Sequence, residues 1–244
     1  MRKPHRHPAI QRVELKRKRL DRYRSLVGEE IVDTIRDLAH ELRGLRVLEL
    51  SSTATGGGVA EMLSSLAPLE RDVGLDATWA VVAGDPAFFE VTKKLHNGIQ
   101  GMEVELTPEE QREYLRHNER YARALDDSWD VVIVHDPQPA ALRSFARDQD
   151  ARWIWRCHID SSTPHMPTWE LLRPHVERYD RAVFTLREFV PPDLAAPTSL
   201  LVPAIDPLTS KNRALPGYLA RETVAELGVD LERPLLLQVS RFDP

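Results

Sequence analysis

The chain has little with which to staple or anchor itself. Among its 244 residues Cys157 is the single cysteine, so no intramolecular disulfide can form and a cysteine-built zinc cluster is excluded. A buried, inert thiol is the expected state of Cys157; only its neighbour His158 gives a ground for a nucleophilic reading. No run of about eighteen apolar residues exists, and the amino terminus lacks the apolar core of a secretory signal, so no membrane span is expected and a cytoplasmic location is the default. No group of carboxylates and histidines has metal-ligand spacing, so no metal is expected.

What is present reads as an ordinary globular protein. Apolar residues make up 42% of the chain and charged residues 29%, which is the balance of a soluble domain. The length suits one large α/β domain, or one domain and the start of another. Charge is unevenly placed. Residues 1–24 carry ten Lys or Arg against Glu14 and Asp21, a local net of +8 in a chain whose total is −5. Such an arm is able to bind an acidic surface. No aromatic residue interleaves the run before Tyr23, however, so nucleic acid is disfavoured as a partner and a helical or mobile solvated arm is expected.

Short apolar runs alternate with helical patterns along the rest. Strands are predicted at Arg46–Leu50, Thr78–Val82, Val131–Val134, Trp153–Cys157, Ala182–Thr185, Leu200–Val202 and Leu235–Val239, each apolar on both faces as in a buried parallel sheet. Ile31, Ile35, Leu38 and Leu42 recur at helical spacing, which predicts a helix over about 28–43 packed on the sheet edge. Val59, Met62, Leu63, Leu66 and Leu69 mark a second helix, and Phe88, Val91, Leu95 and Ile99 a third. Thr107-Pro108-Glu109-Glu110 has a cap, a first-turn proline and a glutamate three positions on, so a helix runs from there to about Leu125. Trp153 and Trp155 are expected in the core. Right-handed crossovers between parallel strands then give a doubly wound, Rossmann-like α/β sheet, whose ligands bind outside the carboxyl ends of its strands.

Three segments fall at that end. Arg46–Leu50 runs into Ser51-Ser52-Thr53-Ala54-Thr55-Gly56-Gly57-Gly58, after which a helix begins. Bare backbone N–H groups at Gly56, Gly57 and Gly58, together with the positive end of that helix, suit an anion. The spacing matches neither GxxxxGK[ST] nor GxGxxG, and close helix–strand packing is the competing use of the glycines. His135-Asp136-Pro137-Gln138-Pro139 follows the third predicted strand. His135, Asp136 and Gln138 supply donors and acceptors suited to a sugar, or alternatively a loop network in which Asp136 caps the next helix. His158-Ile159-Asp160 follows the fourth. His158 reads either as a structural histidine or as a site residue, and Asp160 as a group that orients its ring or a hydroxyl.

The carboxyl end adds a crossover at Val202–Pro207, a helix over Leu219–Leu227 stopped by Gly228, and a fresh strand at Leu235–Val239. The expected organisation is an arm over 1–24, a Rossmann-like domain over 25–205, a crossover and helix over 206–234, and the start of a second Rossmann-like domain over 235–244, where the sequence is cut.

Together these segments resemble the retaining glycosyltransferases of family 4, whose two Rossmann-like domains face a cleft (GT-B architecture). Ser52–Glu61, Phe88–Asn97, His135–Pro139 and Trp155–Asp160 are similar in particular to the trehalose glycosyltransferring synthases (TreT-like), and the likeness runs from about Tyr23 to Pro244. The resemblance implies transfer of a glucosyl unit between a nucleoside diphosphate and glucose, making or consuming trehalose with retention. It implies an amino-terminal acceptor domain, to which His135, Asp136 and Gln138 would contribute. It places His158 at the reacting sugar, the glycine loop and Arg241 on the donor diphosphate, and no metal or other cofactor in the scheme. Small-molecule sugar and nucleotide-sugar substrates are the implied partners. Another family 4 transferase with a different acceptor, or a non-catalytic sugar-binding module tethered by the basic arm, stays open at this point. So do nucleotide preference, direction and oligomeric state, a homodimer being among the arrangements allowed.

Overall fold

The computed structural model describes residues 9–125, 129–147 and 150–238. Two compact units divide the chain, Met1–Ile205 and Asp206–Pro244. In the first, strands β1 (Ile10–Arg12), β2 (Arg46–Ser51), β3 (Asp76–Val82), β4 (Val131–His135), β5 (Arg152–Arg156), β6 (Arg181–Phe184) and β7 (Thr198–Leu200) form one sheet. Helices α1 (Arg24–Val27), α2 (Glu29–Glu41), α3 (Gly58–Asp72), α4 (Pro86–Ile99), α5 (Pro108–Ala124) and α6 (Met166–Val176) accompany it, and α7 (Gly217–Glu226) belongs to the second unit. The strand order is β1-β3-β2-β4-β5-β6-β7, parallel throughout except for β1. The expected α/β, doubly wound and mainly parallel architecture is what the chain adopts.

Helix starts follow the local chemistry. Asp85 accepts a hydrogen bond from Phe88 N at 2.9 Å and Pro86 opens α4. At α5 the Thr107 hydroxyl accepts from Glu110 N (3.2 Å) while the Glu110 carboxylate accepts from Thr107 N (2.9 Å), a complete capping box.

The sheet is covered on both faces, and the two coverings differ. On one face Leu48, Leu50, Val132, Val134, Trp153 and Trp155 join Phe88, Leu95, Tyr114, Tyr121, Trp169 and Leu172 from α4, α5 and α6 in the main core. A smaller cluster centred on Ala60, Leu63, Ala67 and Trp79 holds α3 to the opposite face. The strands were expected to be apolar on both sides. Instead, the intervening residues Glu49, His135 and Arg156 are buried on neighbouring strands β2, β4 and β5. Side chains alternate along a strand, so residues between core positions share the other face.

Four further expectations are corrected. Within the arm, which was expected to be helical or mobile, Ile10–Arg12 pairs antiparallel with β3, and Val13 N donates to Trp79 O at 2.8 Å. Short basic strands suit an edge, because their charges stay in water and discourage further pairing. Helix α2 buries Val32 and Ala39, whereas Ile31, Ile35, Leu38 and Leu42 remain 51%, 38%, 63% and 45% exposed. Exposed ion pairs link it to the preceding segment: Arg24 pairs with Glu29 and Asp33, and Arg36 with Asp21. The last strand of the unit lies at Thr198–Leu200 rather than Leu200–Val202, since Leu201 N closes the ladder on Phe184 O and Pro203, which has no N–H, cannot extend it. Finally, no strand forms across 235–238, where Leu235, Leu236 and Leu237 are 52%, 99% and 74% exposed. A strand needs a partner, and no other strand exists among the described residues of that unit. No described helix is long and apolar enough to cross a membrane.

Candidate active site

β2 connects outward to β3 on one side, while β4 lies on its other side, so the strand order reverses between β2 and β4. A crevice opens at the carboxyl ends of strands at such a reversal. The glycine turn leaves β2 there, Asp136 leaves β4, and Cys157-His158 leaves β5. The fold therefore brings together the three segments singled out from sequence.

The glycines serve backbone conformation rather than packing. Gly56 and Gly57 have φ of 75° and 80°, and a Cβ on any of Gly56, Gly57 or Gly58 would meet nothing within 4 Å. Gly57 caps α3 at ψ 161°, a conformation almost confined to glycine, and no side chain caps the helix in its place. Upstream, the Thr53 hydroxyl donates to Thr55 O (2.8 Å) and accepts from Thr55 N (3.2 Å), while Trp79 Nε1 donates to the Ser51 hydroxyl (2.9 Å). The loop is thus tied at its root and open at its tip. Gly57→Ala should cost about 1–3 kcal/mol through strain, whereas Gly58→Ala should be neutral or stabilising by up to about 1 kcal/mol. Equilibrium urea unfolding of the two variants checks the contrast.

Asp136 is the one described non-glycine residue with positive φ (62°). Its strained backbone is held from several directions: its N–H donates to Arg156 O (2.9 Å), its carbonyl accepts from Trp155 Nε1 (3.0 Å), and Oδ1 accepts from His158 N (2.9 Å). The carboxylate therefore seats the His158 segment, and Pro139 rather than Asp136 stands before the 3-10 turn Ala140–Ser144. Tyr114 braces the same turn by donating to Pro137 O at 2.8 Å and accepting from Ala141 N at 3.2 Å.

Behind His158 lies a chain of buried ionisable groups. His158 Nε2 is 2.9 Å from His135 Nδ1, with the rings nearly parallel at 14°. His135 Nε2 is 2.5 Å from Glu49 Oε2, and both side chains are 1% exposed. Glu49 in turn hydrogen-bonds Glu70 of α3, the helix that starts at the glycine loop. Burial pushes both carboxyls up and the charge of nearby Arg156 opposes this at both; Glu49 raises Glu70 further, whereas the hydrogen bond from Glu70 lowers Glu49. Burial pushes His135 down to about 3, against the pull of Asp136, and His158 to about 3, helped by His135 and Arg156. Both rings are therefore neutral at physiological pH.

The remaining predicted site residues sit as follows. His135, expected at the acceptor, is enclosed with both ring nitrogens engaged. Gln138 is half-buried; its backbone carbonyl accepts from Asn118 Nδ2 (3.1 Å), and its Oε1 is buried with no hydrogen-bond partner. Asp160 is exposed and accepts from Ser162 N (2.9 Å), so the ring partner of His158 is His135 instead. Arg241 lies outside the described residues. Cys157 is buried, its thiol raised by burial and donating to Ile159 O at 3.5 Å, an inert setting for a nucleophile. Sequence reading missed Glu49, Glu70 and Arg156. The first and last were visible as charges inside apolar runs, Leu48-Glu49-Leu50 and Trp155-Arg156-Cys157. A further cluster also went unnoticed: ligand-type atoms of Asp85, Glu113 and His117 lie within 4.8 Å of one another. The chain itself engages them, since Asp85 caps α4 and Glu113 pairs with Arg116 and, at 2.9 Å, with His117.

With this geometry in place, likeness to known proteins becomes informative. A family model described as trehalose synthase, N-terminal domain, matches residues 49–191, a span that begins at Glu49 and takes in every described site residue. Trehalose synthase of Rubrobacter xylanophilus is 49% identical over 96% of this chain and 58% of its own length; that of Pyrococcus horikoshii is 45% identical over 93% and 55%. A trehalose phosphorylase of Grifola frondosa is 27% identical over 92% of this chain and 36% of its own length. The chain thus spans little more than half the length of the trehalose synthases it matches. Among solved structures, one described as trehalose-6-phosphate from E. coli bound with UDP-2-fluoro glucose aligns with a TM-score of 0.53 at 17% identity, covering 75% of this chain and 54% of its own, a likeness of fold. From the family match and from relatives that share nearly half of its residues, the chain belongs to the trehalose synthase family.

Proposed function

We propose that this chain is the acceptor-side part of a retaining glucosyltransferase that interconverts nucleoside-diphosphate-glucose plus glucose with trehalose plus nucleoside diphosphate. The observation that carries the proposal is the convergence of His158 and the open glycine loop at the strand-order reversal of a trehalose-synthase-family sheet. Departure of a nucleoside diphosphate builds negative charge on its leaving oxygens, and fixed donors lower that barrier. Free backbone N–H groups at the amino end of α3 suit that charge without a metal, and Arg241 is assigned the same role. Gln138 and Asp136 are assigned to hydroxyls of the acceptor, and His158 to a hydroxyl of the reacting sugar.

The choice between diphosphate and phosphate as glucosyl acceptor is open to a direct assay. Full-length protein given trehalose should release glucose when a nucleoside diphosphate is added, and should stay idle with inorganic phosphate. Release that requires inorganic phosphate would replace this reading with phosphorolysis, the reaction named for its more distant relatives.

A further inference from the structure

The polar face of β2, β4 and β5 is an expensive feature for the fold. Glu49, His135 and Arg156 are 1%, 1% and 7% exposed, and burying such groups disfavours folding unless each is matched. Neighbouring residues on the opposite face show that these strands are otherwise built from Leu, Val and Trp. The matched groups form a line rather than a cluster: Glu70 to Glu49, Glu49 to His135, His135 to His158. Glu49 and His135 in the middle of the line are enclosed, and the line ends at half-buried His158 at the carboxyl end of β5, as it begins at half-buried Glu70 on α3.

The proton arrangement follows from counting donors and acceptors. Two carboxyls that hydrogen-bond each other need a proton between them, and Arg156 supplies one positive charge for the one carboxylate that remains. With Glu70 carrying the proton, Glu49 is the acceptor-only anion. His135 must then donate from Nε2 to Glu49, which leaves its Nδ1 as a lone pair. Only a donor satisfies that lone pair, so His158 donates from Nε2. A single residue thus decides the state of a ring two links away.

We propose that Glu49, acting through His135, is a positioning residue that fixes His158 as its Nε2–H tautomer, leaving a bare Nδ1 to accept a hydrogen bond from a hydroxyl of the bound sugar. The hydroxyl rests on the transferase reading above; the tautomer does not. In this arrangement His158 is a neutral acceptor that orients its ligand, and it does not serve as a proton donor to the leaving group. Low basicity of both rings supports the assignment, because an imidazolium would offer N–H on both sides. The charged and titratable groups that face the two rings are Glu49, Glu70, Arg156 and Asp136.

Long-range proton–nitrogen NMR correlation on the chain with nitrogen-15-labelled histidine tests this near neutral pH. In the unaltered chain His135 and His158 should each show Nε2 as the protonated nitrogen and Nδ1 as the bare one. Glu49→Leu removes the acceptor while keeping a similar volume, so His158 should change from one tautomer to a mixture of both. His135→Phe, which cuts the line at its middle, should do the same if Glu49→Leu fails to fold. A protonated Nδ1 or a mixture at His158 in the unaltered chain overturns the proposal, as does an unchanged single Nε2–H form in either folded variant. No sugar is present in these measurements, so their outcome stands apart from whether the full-length protein transfers glucose. Adding trehalose then tests that reading separately, by a shift at the His158 Nδ1.

Discussion

His158→Ala should lower turnover of the full-length protein by about 10²-fold to 10³-fold, the loss typical when one group fixed at a reacting centre is removed. The ring holds no structural element together: its backbone N–H keeps the hydrogen bond to Asp136 whatever the side chain. Its removal leaves His135 Nδ1 without a partner, which costs about 1–3 kcal/mol at a buried site. Steady-state kinetics beside a thermal melt separates the two effects. A variant that folds and turns over at the original rate would remove His158 from the chemistry, and a variant that fails to fold would recast it as structural.

Trp155→Ala should be the most destabilising of the changes considered, by about 3–5 kcal/mol. The indole is fully buried and meets Phe184 edge-on with ring centroids 5.8 Å apart. Its Nε1 also donates to Asp136 O at 3.0 Å, so the substitution withdraws support from the strained residue that seats His158. Denaturant unfolding monitored by circular dichroism measures the loss. Trp155→Phe keeps most of the apolar volume but not the donor; it should recover most of the stability, and whatever it does not recover reports the bond to Asp136.

The two variants also show how far the sequence could be read. Trp155 was legible as core because alternation along Trp153-Ile154-Trp155 is a local signal, and the cap at Thr107 was legible for the same reason. The parallel sheet followed from short apolar runs separated by helical ones. What escaped depends on pairing across distance. Glu49 and His135 are separated by 86 positions, and nothing in Val47-Leu48-Glu49-Leu50 says that a histidine will lie two positions beyond the residue opposite Glu49 on the next strand. Read alone, His135 looked like a ligand contact because it ends a strand; its enclosure by Glu49 and His158 appears only once β2, β4 and β5 are in register. The edge strand at Ile10–Arg12 was hidden by the charge of its surroundings. The docking face of α2 was misjudged because the residues it buries, Val32 and Ala39, are smaller than the leucines and isoleucines beside them.

The glycine turn was read from sequence as an anion seat or as a packing device. Open space around all three glycines removes the packing role, and positive φ at Gly56 and Gly57 explains why other residues are disfavoured there. The loop and His158 both lie at the carboxyl end of the sheet, the loop after β2 and His158 after β5.

The most direct test of that account is carbon-13 NMR of the product formed when full-length protein is given nucleoside-diphosphate-glucose and glucose labelled at its anomeric carbon. The account predicts one disaccharide, α,α-linked trehalose carrying the label on one of its two anomeric carbons, with release of nucleoside diphosphate. No disaccharide, or one with inverted configuration at the transferred glucose, would contradict it.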